Sequence, residues 1–335
     1  MLIRRSTSRV FKTIVRTGLF LFLFCALLLF SVFPARYMKA CLDGVSLWAA
    51  CVLPSALPFL FITGLFTRLG FVHRLSKNCA PVTSALFRLS GVSGYCILMS
   101  FLSGYPVGAK TLCDLKEQNV VSASEATKMS VLCSSSGPLF ILGSVGMGMF
   151  SDVKIGIILL LSHFIAILLS GIIFRFYPTA PSENFLPSLK RADNVLYECM
   201  YSSVLSVLVV GGFVAVFYTL SVMLADCRIL TPIAQLLRLC AVPDKTARAF
   251  ATGLVEMTGG CKSLAASPCV LNVALCAFLI TFGGISALFQ QIVYLKRAEV
   301  KLGLFLSVKL LQSVLAALFA FLFYSIFPFA APFRL

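Results

Sequence analysis

Acidic residues are scarce in this chain. Only 12 Asp and Glu stand against 28 Lys and Arg, and all charged residues together make up 12% of 335 positions. A soluble domain carries about 25%. Too few polar side chains remain to cover a water-soluble globule of this length. Histidine is scarcer still, with 2 residues. The chain has no His-x-x-x-His, no paired aspartates within its apolar runs and no Gly-x-Ser-x-Gly. Intramembrane metal, aspartyl or serine-hydrolase chemistry therefore lacks its parts, and an enzyme is not expected. Cysteine is not scarce, at 13, but no Cys-x-x-Cys pair occurs and no histidine stands in metal-ligand spacing. The cysteines read as small hydrophobes, and neither a metal nor a cofactor is expected.

What is present is apolar sequence. Hydrophobic residues make up 59%, and mean hydropathy is +0.99. The apolar runs are long and do not alternate, so they read as membrane helices rather than barrel strands. The net charge of +16 sits in short loops between those runs. Membrane topology and anionic lipid headgroups account for it. No basic stretch is interleaved with aromatics on a polar face, so nucleic acid is excluded as a partner.

The informative stretches are those where apolar sequence is interrupted. Phe101–Lys110 carries Gly104, Pro106, Gly108 and Lys110 within a few residues. Proline breaks the helical ladder, and glycine permits close backbone approach. Broken backbone at membrane depth survives only where protein covers it or where it lines a wet cavity. Leu89–Ala109 is therefore expected to enter the membrane and turn back, with its tip in that stretch. Ala249–Ala266 echoes it. When GYPVGAKTL is set above EMTGGCKSL, Gly108 falls on Gly260, Lys110 on Lys262 and Leu112 on Leu264. Ser134-Ser-Ser-Gly-Pro138 and Phe282-Gly-Gly-Ile-Ser286 are the corresponding breaks in the helices that follow. Interrupted apolar segments at matching places in two halves point to a transporter binding site.

The organisation follows. Residues 1–44 hold a basic segment and a first membrane helix over Gly18–Phe33. The arginines ahead of that run place the N-terminus in the cytoplasm, and retention is favoured over cleavage as a signal peptide. Residues 45–176 form a first repeat: span, hairpin, broken helix, span. Residues 177–194 are a linker, and 195–327 are a second repeat of opposite orientation. Ser122-Ala-Ser-Glu125 has the form of a capping box. Asp226–Arg248 reads as an interfacial helix. His163, alone in an ordinary span, reads as a satisfied interhelical hydrogen-bond partner. The fold class is all-α and polytopic, an inverted repeat with two re-entrant hairpins and two broken helices.

Four motifs carry a family resemblance: Gly104-Tyr-Pro-Val-Gly-Ala-Lys110, Ser136-Gly-Pro-Leu-Phe-Ile-Leu-Gly143, Gly253-Leu-Val-Glu-Met-Thr-Gly259 and Phe282-Gly-Gly-Ile-Ser286. Together, from about Val45 to Phe327, they resemble the sporulation integral membrane protein YlbJ family, among proteins with nucleoside-recognition gate domains. The resemblance implies the architecture of concentrative nucleoside transporters and a place in the inner membrane, or in a spore former the outer forespore membrane. It implies transport of a small anionic or nucleoside-like solute, with dipicolinate the candidate in sporulation. The competing reading is a gate or scaffold subunit that moves nothing alone. The candidate solute-binding residues are Gly104, Tyr105, Pro106, Gly108 and Lys110 at the first hairpin, and Ser134, Ser135, Ser136 and Gly137 at the first break. Glu256, Thr258, Gly259, Gly260 and Lys262 at the second hairpin join them, with Gly283, Gly284, Ser286 and Gln290 at the second break. A charge at membrane depth costs roughly 2.5–3.5 kcal/mol on insertion scales and marks function by default. Glu256 is accordingly the candidate for a coupling proton or sodium ion, and the lysines are candidate counter-charges. Beyond the solute and the lipid bilayer, a second copy of the chain is a candidate partner, and the oligomeric state is left open by the residues.

Overall fold

A computed structural model describes residues 2–69, 71–179 and 194–327. Every element among them is helical. The basic residues Lys190 and Arg191 of the expected linker lie outside the described residues.

The apolar run over Gly18–Phe33 belongs to helix α1 (Leu2–Val32). Its large side chains, including Leu19, Phe20, Leu23 and Leu27, are exposed. The chain then bends by 106° into α2 (Pro34–Leu47). A five-residue π-helical turn at Trp48–Val52 leads into α3 (Leu53–Arg68). Helix α4 (Phe71–Phe87) follows, and it meets the next helix at 93°. The first hairpin is α5 (Gly91–Ser103) and α6 (Val107–Glu117), with its turn at Gly104–Pro106. The broken helix is α7 (Ala123–Ser130), an irregular stretch, and a π-helix over Phe140–Met149. Helix α8 (Val153–Ile173) closes the first half.

The second half repeats this order. Helix α9 (Val195–Asp226) is the span, and α10 (Thr231–Leu239) is short and amphipathic. The hairpin is α11 (Asp244–Val255) and α12 (Met257–Ala265), turning at Glu256. The broken helix is α13 (Val270–Phe282) and α14 (Gly284–Arg297), and α15 (Leu302–Ile326) closes the half. The 21 residues of α8 and the 25 of α15 are long enough for a hydrocarbon core of about 30 Å.

Loop charges show how the halves are oriented. At one end Arg297 pairs with Glu117 at 2.5 Å, and Lys116 with Glu299 at 3.6 Å. There too the Lys128 ammonium donates to the carbonyls of Arg88 and Arg175. At the other end Arg36 pairs with Asp226 at 2.5 Å, and Asp244 with Arg238 and Arg248. The first hairpin is rooted at the first end, the second at the opposite one. That is an inverted repeat.

Two boundaries and one cap differ from expectation, each for a local reason. The first hairpin extends to Glu117, because Leu112, Cys113 and Leu115 form a buried stripe that carries the helix through the polar stretch. Asp226–Arg248 is not one interfacial helix. It turns at Cys240–Pro243, and Asp244 onward becomes the first arm of the second hairpin. The capping box is half-made. Ser122 Oγ accepts the Glu125 N–H, but the Glu125 carboxylate accepts instead from Ser90 N–H and Ser93 Oγ. It ties the root of the first hairpin to α7.

Two glycines are required where tips meet breaks. Gly104 has φ +75°, and a Cβ there would lie 2.5 Å from the Gly137 nitrogen. Gly284 has φ +63°, and its Cβ would lie 3.1 Å from both the Gly253 carbonyl oxygen and the Met257 nitrogen. Gly104→Ala is expected to cost more than about 1 kcal/mol of stability, because alanine combines the strained φ with a backbone clash. Thermal unfolding of the purified variant in detergent checks this. A melting temperature equal to that of the parent would contradict the packing described.

Candidate functional site

Each hairpin tip sits on the broken helix of its own half, and polar side chains then join the halves. The Tyr105 hydroxyl, at the first tip, donates to the Ile280 carbonyl at 2.5 Å and lies 3.8 Å from Met257 Sδ at the second tip. On α8, His163 Nε2 accepts the Ser136 N–H at 2.9 Å. Its proton therefore sits on Nδ1, which faces Thr281 Oγ1 at 2.8 Å. The ring is neutral, fully partnered, and bridges one break to the other. Ser134 Oγ donates to Gln291 Oε1 at 2.5 Å, and Gln291 Nε2 donates to the Ala287 carbonyl. These struts satisfy backbone and side-chain groups that a continuous helix would never leave free.

A chamber of about 80 Å³ lies where the four breaks converge. That volume accommodates several waters, at roughly 10–15 Å³ each by this measure. The first tip lines it with Gly104, Tyr105 and Pro106, and the first break with Ser136 and Gly137. The second tip contributes Glu256 and Thr258; the second break contributes Gly283, Ser286 and Gln290. Apolar side chains of α3, α9 and the π-helix, among them Phe59, Val214 and Phe140, close the remainder.

The other sequence-derived candidates lie elsewhere. Ser134 and Ser135 are inside the struts, bonded to Gln291 and His163. Gly108 and Gly260 are packing positions. A Cβ on Gly108 would lie 2.2 Å from the Cys133 carbonyl oxygen, and one on Gly260 would lie 2.3 Å from Gly253 Cα. Gly259 lies under the Tyr218 ring, and Gly284 is the seat of the second tip. The two lysines are not brought together. Lys110 lines a neighbouring cavity with Asp114 and Arg68, and Lys262 lines another with Asp43 and Tyr218. Both stand one turn into the second arm of their hairpin, where helical geometry turns them from the tip.

The electrostatics of the chamber come from helix ends. The Glu256 carboxylate caps α12, accepting Thr258 N–H at 3.0 Å and Gly259 N–H at 2.7 Å. Helices α6 and α14 and the π-helix over Phe140–Met149 begin without a side-chain cap. A helix N-terminus carries roughly half a positive charge and free N–H groups. Three such ends and one fixed carboxylate meet here.

Two residues that matter escaped the motifs. Ser103 lines the chamber, and its buried hydroxyl, like that of Ser286, has no hydrogen-bond partner among the described residues. Its signal was position alone, directly before Gly104. Lys309 lies beneath Tyr105, its ammonium 5.5 Å from the ring centroid. Its signal was plain: one charge inside the last apolar run.

Ser134→Ala strands Gln291 Oε1 and is expected to cost about 1 kcal/mol. Ser286→Ala removes an unpartnered hydroxyl and is expected to leave stability within about 0.5 kcal/mol of the parent. Paired melting curves in one detergent distinguish them. Equal losses would mean that the two hydroxyls do not differ as described.

Comparison with known proteins agrees with this geometry. No protein-family model matches the chain. It is similar to the sporulation integral membrane protein YlbJ of Bacillus subtilis (strain 168), at 28% identity over 339 residues covering 93% of this chain and 82% of that one. The resemblance read from the four motifs therefore holds along almost the whole chain. Among solved structures the fold is similar to that of CNTnw, a concentrative nucleoside transporter. Against a CNTnw variant in an outward-facing state the TM-score is 0.56 at 14% identity, covering 83% of this chain and 76% of that one. Against CNTnw in an inward-facing substrate-bound state it is 0.51 at 15% identity, covering 82% and 76%. The chain is a multi-pass membrane protein with this inverted-repeat fold.

Proposed function

We propose that this chain is a transporter that moves a small polar solute across the membrane by alternating access, with dipicolinate in a sporulating cell the first solute to test. One observation carries the reading. Both hairpin tips and both helix breaks converge on one chamber lined by Ser103 and Ser286, whose buried hydroxyls have no hydrogen-bond partner among the described residues. An unpaired buried hydroxyl costs free energy unless something arrives to satisfy it. A transported solute is that something.

The chamber favours a solute with both anionic and hydrogen-bonding groups. Uncapped ends of α6, α14 and the π-helix meet a carboxylate. Ser103, Thr258, Ser286 and Gln290 supply neutral hydrogen bonds. Glu256 is already held by two N–H groups of its own helix, so it shapes the chamber and disfavours an anion placed beside it. Lys110 and Lys262 play no part in this account. Alternating access follows from the symmetry: two halves of opposite orientation can exchange conformations around one fixed site. The relatives support this reading. The CNTnw structures include outward- and inward-facing states of the same fold, and the YlbJ name supports a role in sporulation.

The gate-subunit reading draws on α1, whose apolar side chains are exposed and which turns away from α2 by 106°. One experiment separates the two readings. The purified chain, reconstituted alone in liposomes, is assayed for labelled dipicolinate and, in parallel, a labelled nucleoside. The transport reading expects flux of one of them, reduced at least tenfold by Ser286→Ala made with Ser103→Ala. No flux of either solute, with flux restored by a partner protein, would establish the gate subunit instead.

A further inference from the structure

The first broken helix contains a cation supplied by the protein itself. Lys309 lies eight residues into α15 and is 1% exposed. Its ammonium donates to the Ser134 carbonyl and lies over the Tyr105 ring. One turn further along α15, Gln312 Nε2 donates to the Val131 carbonyl at 2.7 Å. Both carbonyls belong to the stretch between the end of α7 at Ser130 and the π-helix at Phe140, where the backbone has left its helical ladder.

Freed carbonyls at the C-terminal end of a half-helix are a cation site. In broken membrane helices such groups coordinate metal cations or protons. Here α15 fills the place with an ammonium. Among the described residues, no carboxylate lies within ion-pair distance of Lys309. The titratable groups beside it are Tyr105 from the first hairpin, whose ring faces it, and His163 from α8 across the break. His163 accepts at Nε2 and so carries no second proton. An ammonium without a counter-ion, held by a carbonyl oxygen and an aromatic face, takes the place of a cation at the freed backbone.

We propose that Lys309 is a tethered cation: it occupies the carbonyl-lined break of the first broken helix from within the protein, so that break takes no free metal cation. This concerns a place beneath the solute chamber and does not depend on which solute is moved. It also assigns the lysine at membrane depth a task that Lys110 and Lys262 do not perform.

The test reads stability rather than flux. Thermal unfolding of the purified chain is followed at constant ionic strength in sodium, lithium or choline chloride. The parent protein is expected to melt at the same temperature in all three. Lys309→Ala opens the place, and is expected to melt lower and to regain stability saturably with sodium, lithium or methylammonium. Lys309→Met, of similar length and uncharged, is expected to melt lower and to respond to none of them. Saturable stabilisation of the parent by sodium over choline would overturn the proposal. So would a folded Lys309→Ala indifferent to all three cations. Should Lys309→Ala fail to fold, Lys309→Met decides: a parental melting temperature means the break needs no cation and overturns the proposal, and a lowered one supports it. Absence of dipicolinate flux would count against the transport reading alone and leave these melting curves unchanged.

Discussion

Everything in this molecule depends on satisfying backbone groups that have left their helices at membrane depth. Four helices stop there, at Gly104, Val131, Glu256 and Gly283. Lipid offers no hydrogen bonds, and each unsatisfied group costs several kcal/mol. The protein answers with side chains from other elements. His163 takes the N–H of Ser136, Lys309 the carbonyl of Ser134, Gln312 that of Val131 and Tyr105 that of Ile280. Glu256 takes the first N–H groups of its own helix. The bonds of Lys309, Gln312 and Tyr105 join one half to the other, so the requirement that makes breaks tolerable also assembles the two repeats.

The few charges at depth follow the same logic. Glu256 is stabilised by the N-terminal end of a half-helix, where a negative charge belongs, and Lys309 by the Ser134 carbonyl beyond the end of another, where a positive charge belongs. Neither has an ion-pair partner among the described residues. Conventional pairs instead collect at the two polar ends, as Arg297–Glu117 and Arg36–Asp226 do. The chamber is left with helix ends and hydroxyls to meet a solute, and with Ser103 and Ser286 unpartnered.

The asymmetry between the halves is instructive. The first tip is shaped by Gly104 and Pro106 against Gly137, and the second by Glu256 against Gly284. A proline-and-glycine turn and a self-capping glutamate solve one geometric problem by different means. The Gly-x-Lys-x-Leu echo between the hairpins reflects the second arms rather than the tips. Gly108 and Gly260 let those arms pack, on the Cys133 carbonyl and on Gly253.

The membrane class, the helical fold and the four interruptions were legible in the residues, because they rest on local properties: apolar run length, and breakers where a run should be uninterrupted. The positions of Gly104–Pro106, Ser136-Gly137, Glu256 and Gly283-Gly284 were readable for that reason. Which side chains would line the chamber was not. Lys110 and Lys262 share a register with the tips, yet helical rotation turns each into a separate cavity. Ser134 and Ser135 share a motif with Ser136, yet only Ser136 faces the chamber, since its neighbours bond to Gln291 and His163. Lys309 meets Ser134 across 175 positions of chain, a contact no periodicity encodes. Breakers placed within apolar runs say where the helices must stop. What fills each break depends on packing, because the partner for a freed backbone group comes from whichever distant helix packs against it.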